Sequence, residues 1–168
     1  MSKLDVEREY RPARAAEPDV ARDLADRAFA RAAGASLIVG NRVRILRDAR
    51  ENFPAWLDAI HDAKRTIFFE SYIIGADHVG REFVAALADR ARAGVRVRLI
   101  CDWFGTGGSA ALFAPLVTAE GEVCVFNPPR FDSPFGWLTR DHRKMIAVDG
   151  QVGFVTGLGV SARWLGNP

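Results

Sequence analysis

At 168 residues, with 49% apolar and 26% charged side chains, the chain has the composition of an ordinary globular protein and the length for one domain with a sizeable core. Its 23 basic residues are nearly matched by 21 acidic ones, so a formal charge of +2 does not mark a nucleic-acid binder, and any preference for an anion has to be local. Disordered and fibrous classes are excluded, and no apolar run approaches membrane-spanning length or the h-region of a secretory leader.

Residues 1–17 are charged and carry Pro12, so a flexible leader is expected before a helix that starts near Asp19 and stops at Gly34. Val20, Leu24 and Ala28 give this helix a modest apolar stripe. Asp19, Asp23 and Asp26 dilute its arginines, which favours packing on the domain over lying on an anionic bilayer.

From Arg42 onward strands and helices alternate. A strand is expected over 42–47 and a helix from about Pro54 to Ala63, because the fixed φ of proline suits a first helical turn. Residues 66–74 are apolar on both faces, as in a strand covered on both sides, with Glu70 as the exception. Residues 79–93 place Val79, Phe83, Leu87 and Ala91 at helical spacing and end at Gly94, a glycine after a C-cap. A strand over 95–101 follows, and strand, helix and strand with short connections make a right-handed unit with parallel strands.

The loop 103–109 leaves the carboxyl end of that strand, the edge at which open α/β sheets bind ligands; a plain flexible connector is an equal reading. A short helix over about 111–119 leads to a strand at 122–126, a loop over 127–138, and strands at 143–148 and 152–156 joined by the two-residue turn Asp149-Gly150. Cys101 and Cys124 both fall in apolar strand segments and read as reduced core residues, the default of a reducing, cytoplasmic setting.

His142 and Lys144 stand two apart at the start of a strand, so the period of two puts imidazole and ammonium on one face, where they can share a phosphate. Lys144 suits the charge that builds on phosphate oxygens, and His142 offers a nitrogen nucleophile that needs no metal. Asp149 has the opposite parity and sits in the turn, where its expected role is to bond turn amides. Glu70 needs a cationic or amide partner; whether it points into the site or bonds a neighbouring loop stays open, and Tyr72 shares its parity. Phe131, Phe135 and Trp137 could line an acyl-chain channel, dip into a bilayer interface or form a lid over the core. His61 and His78 read as a surface residue and a capping or loop residue.

The run His142-Arg-Lys-Met-Ile-Ala-Val-Asp-Gly-Gln-Val-Gly-Phe-Val-Thr-Gly-Leu158 resembles the HKD motif of the phospholipase D superfamily. Gly40-Asn-Arg-Val, Phe69-Glu-Ser-Tyr72-Ile-Ile, Arg90-Ala-Arg-Ala-Gly94-Val and Leu99-Ile-Cys-Asp102 extend the likeness over residues 36–168, which look most like the N-terminal half of a bacterial cardiolipin synthase. The resemblance implies an α/β, phospholipase D-like three-layer fold, its mixed sheet flanked by helices on both faces, over 36–168, with a charged leader and N-terminal helix at 1–35.

It also implies a phosphatidyltransferase of phospholipid biosynthesis working through a phosphohistidine, with His142, Lys144 and Asp149 as the catalytic motif. Lys144, Thr156 and Gly157 would bind phosphate, and Glu70, Tyr72 and Trp137 would line the substrate; no metal or other cofactor is implied. The implied partners are a glycerophospholipid such as phosphatidylglycerol, the inner face of the cell membrane, and a second HKD half from a missing C-terminal domain or a homodimer partner. The family's turn carries an Asn where this chain has Gly159, and the acid that orients its nucleophilic His comes from a segment beyond Pro168. Two alternatives therefore stand beside the first. One is a single-motif homodimeric phosphodiesterase acting on nucleic acid, which the weak net charge disfavours, and the other is a half-domain without activity.

Overall fold

A computed structural model describes residues 20–129, 132 and 138–166, which fall into two units, one up to Ile45 and one from Leu46. In the first, helix α1 (Val20–Ala33) carries the expected stripe and has no buried residue. The strand expected over 42–47 is not formed: residues 41–47 have no regular structure. The alternation of Val43 and Ile45 with arginines suits a strand, but a strand exists only by pairing its backbone, and both apolar side chains are exposed.

The second unit opens with α2 (Ala49–Asp62), which starts well before the proline expected to begin it. Asp48 is the N-cap, its Oδ1 accepting from Arg50 N at 2.9 Å and Glu51 N at 3.2 Å, while the Glu51 carboxylate accepts from Arg47 N at 3.0 Å. This Asp-x-x-Glu start satisfies amides that Pro54 cannot, and Pro54 is carried inside the helix because Phe53, Trp56 and Ile60 bury on either side of it. There follow β1 (Thr66–Ser71), α3 (His78–Arg92), β2 (Arg96–Asp102), a 3-10 turn (Ala110–Phe113) running into α4 (Ala114–Thr118), β3 (Glu122–Phe126), β4 (Lys144–Val148) and β5 (Val152–Val155). Asp77 caps α3 through Gly80 N, which makes His78 its first, exposed residue.

The five strands form one mixed sheet in the order β3-β2-β1-β4-β5, with β1, β2 and β3 parallel and β4 and β5 antiparallel to their neighbours. Ile67, Phe69, Val97, Leu99, Ile146 and Val148 share the covered face, where they meet Trp56 and Ile60 of α2, Phe83 and Leu87 of α3 and Leu116 of α4. Phe53, Trp56, Phe69 and Phe83 pack there with ring centroids 5.4–6.1 Å apart, mostly edge to face, the geometry aromatic quadrupoles favour. Among the described residues, no helix is long and apolar enough to cross a membrane.

The class is α/β with a mixed sheet, as expected, and among the described residues of this unit α2, α3 and α4 pack on one face of it. On the other face Phe68 and Met145 are exposed and Arg98 pairs with Glu122 at 3.0 Å across β2 and β3. The two cysteines part company for the same reason. Cys101 is buried on the covered face, and that burial pushes its thiol pKa up to about 12, whereas Cys124 projects from the open face and is exposed, not a core residue.

The hairpin turn holds Asp149 at φ 55° and Gly150 at φ 68°, the left-handed pair of a type I′ connection. The Asp149 carboxylate accepts from the backbone amides of Lys64, Arg65 and Thr66, each at 2.8 Å, and its carbonyl accepts from Arg65 Nη2 at 2.8 Å. The amides it bonds are thus those that lead into β1 and not those of its own turn. The amides, Thr66 first and then Lys64, hold the carboxyl below the ordinary aspartate range, so its contribution to stability is present above a pH of about 4 and is lost as pH falls through the lowered value. Asp149→Asn tolerates the same φ and keeps one acceptor oxygen. Its urea midpoint should lie below that of the unaltered chain at neutral pH and converge with it under acid; a gap independent of pH would show that the charge is not what the amides bind.

Candidate active site

The antiparallel register sets Ser71, the last residue of β1, beside Lys144, the first of β4, at the carboxyl end of the parallel strands. Lys144 Nζ lies 3.0 Å from His142 Nδ1 and donates to the His142 carbonyl at 2.9 Å, so the two side chains that the period of two aligns do meet. The imidazole is exposed and the lysine is buried. Burial lowers the Lys144 pKa, and the Asp141 carboxylate opposes that shift. An ammonium that donates to Nδ1 leaves the proton of a neutral imidazole on Nε2. Tyr72 joins the pair: its ring centroid is 4.4 Å from that of His142, with planes 36° apart, and Lys144 Nζ stands 5.4 Å from the same ring.

Thr156 and Gly157, which follow β5, come to the same end of the sheet. Thr156 N donates to Lys144 O at 3.3 Å, and its hydroxyl oxygen accepts from Leu158 N at 3.0 Å. The turn beyond is tied down by Val160, whose backbone exchanges hydrogen bonds with Ile73 and Gly75, and by the Asp77 carboxylate, which accepts from Ser161 Oγ at 2.7 Å and Ala162 N at 2.8 Å. Gly159 is wedged in this turn. A Cβ there would come within 2.9 Å of Ile73 Cβ and 3.0 Å of Trp164 Nε1, so the Asn of the family's pattern has no room unless these neighbours shift.

Asp149 is not brought into this group. It closes the other end of β4, five residues or about 17 Å from Lys144 at the strand rise, with its carboxylate occupied by three amides. Glu70 faces the open side of the sheet and pairs with Arg143 Nη2 at 2.8 Å, while Arg143 Nε reaches Asp141 Oδ1 at 2.9 Å. Burial and a hydrogen bond shared with Asp141 raise the Glu70 pKa. Glu70 therefore bonds the residue between His142 and Lys144, whose parity points it away from them. Trp137, with Phe131 and Phe135, lies outside the described residues.

Asp102 is the residue that sequence reasoning passes over. Its side chain is fully buried at the end of β2. Oδ1 accepts from Phe104 N at 2.9 Å, Gly105 N at 3.1 Å and Arg140 Nη1 at 3.1 Å, and Oδ2 accepts from Asp141 N at 3.1 Å. One signal was available: a carboxylate that ends the apolar strand Val97–Cys101 has to find partners if it stays inside. Removing it leaves amides and a mostly buried guanidinium unmatched, so Asp102→Ala should cost about 3–5 kcal/mol in urea unfolding. A cost below about 1 kcal/mol, the range of an exposed pair, would dismiss Asp102 as the anchor of this region.

Comparison with known proteins bears on what this group belongs to. The family described as "Cardiolipin synthase, PLD-like domain" matches residues 56–165. Cardiolipin synthase B of Escherichia coli (strain K12) is 33% identical over 127 residues, 73% of this chain and 30% of that protein. The cardiolipin synthase of Geobacillus kaustophilus (strain HTA426) is 32% identical over 130 residues, 76% of this chain and 26% of that protein. The chain thus spans less than a third of the length of these curated relatives. The crystal structure of Nuc, a phospholipase D family member from Salmonella typhimurium, matches with a TM-score of 0.51 and 22% identity over 65% of this chain and 64% of that one, a likeness of fold. Because the family match runs from Trp56 in α2 through the whole sheet to Leu165 and includes the His142–Lys144 pair, the chain belongs to the cardiolipin synthase, phospholipase D-like domain family.

Proposed function

We propose that this chain is one half of a phospholipase D-type phosphatidyltransferase, of cardiolipin synthase kind, that exchanges the phosphodiester of a glycerophospholipid through a phosphohistidine on His142. The observation that carries the reading is the 3.0 Å approach of Lys144 Nζ to the His142 ring, a buried ammonium and an exposed imidazole at the start of one strand. An anionic phosphodiester is expected to draw the ammonium from Nδ1 onto its non-bridging oxygens, where the developing charge rewards it most.

A ring nitrogen of His142 then attacks phosphorus, an N–P bond forms, and the P–O bond to one alcohol breaks. The departing oxygen takes its proton from a histidine of a second motif, supplied by the remainder of a longer chain or by a second copy. That group next accepts the proton of an incoming alcohol, whose oxygen attacks phosphorus as the N–P bond breaks and His142 is restored. The donor in this reading is phosphatidylglycerol, a lipid, which puts the reaction at a membrane surface. Gly159 favours a second reading, a half-domain without activity, because it brings no side-chain donor where the family's pattern has an Asn and its neighbours leave little room for one.

Phosphatidylglycerol carrying radiolabel at its phosphate separates the two. The full chain should take up label that survives alkali and is released by acid, and His142→Ala should take up none. Absence of label on the unaltered chain would sink the phosphohistidine reading in favour of the inactive half. Lys144→Ala should take up the same label about 10²–10³-fold more slowly, as expected when one preset donor to the reacting oxygens is lost.

A further inference from the structure

We infer that Tyr72 is a positioning residue for His142: it holds the plane of the imidazole by stacking, instead of forming a wall of the substrate pocket. The inference rests on His142 being the nucleophile of the reaction proposed above. The stack, 4.4 Å between centroids with the planes 36° apart, is close and offset from perpendicular, and the ammonium of Lys144 lies over the same ring at 5.4 Å. Both motif side chains therefore rest on one aromatic surface.

The polar contacts of the imidazole give the reason such a surface is needed. Among the described residues, its ring nitrogens meet Lys144 Nζ alone. That partner sits on a flexible four-carbon stem, and a bound phosphate competes for it. Once the ammonium turns to phosphate, the stack on Tyr72 is what remains to fix the ring.

Tyr72 is itself held by its neighbours. The chain bends immediately after β1, where Ser71 Oγ donates to Ile73 O at 2.9 Å. Gly105 packs directly on Tyr72: a Cβ there would overlap the Tyr72 carbonyl and lie 3.1 Å from its ring Cδ2, so a larger residue at 105 must push the tyrosine. The Asp102 carboxylate holds Gly105 N and, with its other oxygen, Asp141 N, the residue before His142. One buried group thus spaces the glycine packed on the tyrosine and the segment that carries the histidine.

The test uses the full chain with Tyr72→Phe, Tyr72→Leu and Gly105→Ala, read by the rate of labelling from phosphatidylglycerol and by the His142 ring-proton resonances. Tyr72→Phe keeps the ring and should label within about 3-fold of the unaltered chain. Tyr72→Leu should lose about 10–100-fold in the rate at saturating lipid while the half-saturating lipid concentration stays the same, the signature of a misoriented nucleophile. Gly105→Ala should show a loss in the same direction. In Tyr72→Leu the His142 ring protons, shifted upfield by the tyrosine, should move downfield.

A higher half-saturating concentration at an unchanged limiting rate would make Tyr72 a substrate wall and overturn the inference. Unmoved His142 resonances in Tyr72→Leu would overturn it as well. If the unaltered chain takes no label, the proposed reaction fails; resonances that move would then still establish the stack, and resonances that do not move would remove it too.

Discussion

One buried carboxylate sets the distances within the candidate site. Asp102 ends β2 inside the protein and is matched by four donors: two amides of the loop it starts, the Arg140 guanidinium and the amide of Asp141. An unpaired charge at that depth would be prohibitive, so the loop and the segment before β4 are forced together to satisfy it. The sheet supplies the remaining constraint. Parallel pairing of β1 with β2 and antiparallel pairing of β1 with β4 bring the ends of β1 and β2 to the beginning of β4, so residues far apart in the chain converge on one edge. Sheets of this kind bind ligands at the carboxyl ends of their parallel strands, and here that edge also receives an incoming strand with its motif.

What could be read from the amino acids was whatever has a short period. His142 and Lys144 are neighbours because a strand repeats every two residues, and Asp149-Gly150 announces a turn because two successive left-handed residues favour that pair. What could not be read lies across long separations. Asp149 is matched by amides more than 80 positions earlier, and Asp102 by a guanidinium 38 positions later; no local pattern announces either. Pro54 misled because one familiar start signal was preferred to another, Asp48 with Glu51, that satisfies more backbone amides. Residues 42–47 misled because alternation is necessary for a strand but supplies no partner.

The segment that carries the motif serves both sides of the sheet. Lys144 belongs to the side of the helices, while Arg143 turns outward to a pair of acids, Glu70 and Asp141. Burial first, and then the neighbouring Asp141 carboxylate, make Glu70 hold its proton more firmly than usual, while the hydrogen bond from Arg143 keeps Asp141 below the ordinary range. The open question about Glu70 is answered in terms of sides: it bonds the motif's middle residue from the face opposite the lysine.

The two cysteines lie on adjacent strands but project from opposite sides of the same sheet. They cannot be joined by oxidation while the sheet is intact, since their Cβ vectors point apart. Cys101 is sealed and its thiol is almost never ionised at neutral pH. Cys124 is consequently a natural attachment point for a thiol-reactive fluorophore or spin label, and a probe placed there would sense whatever comes against its side of the sheet without a single change to the amino-acid sequence.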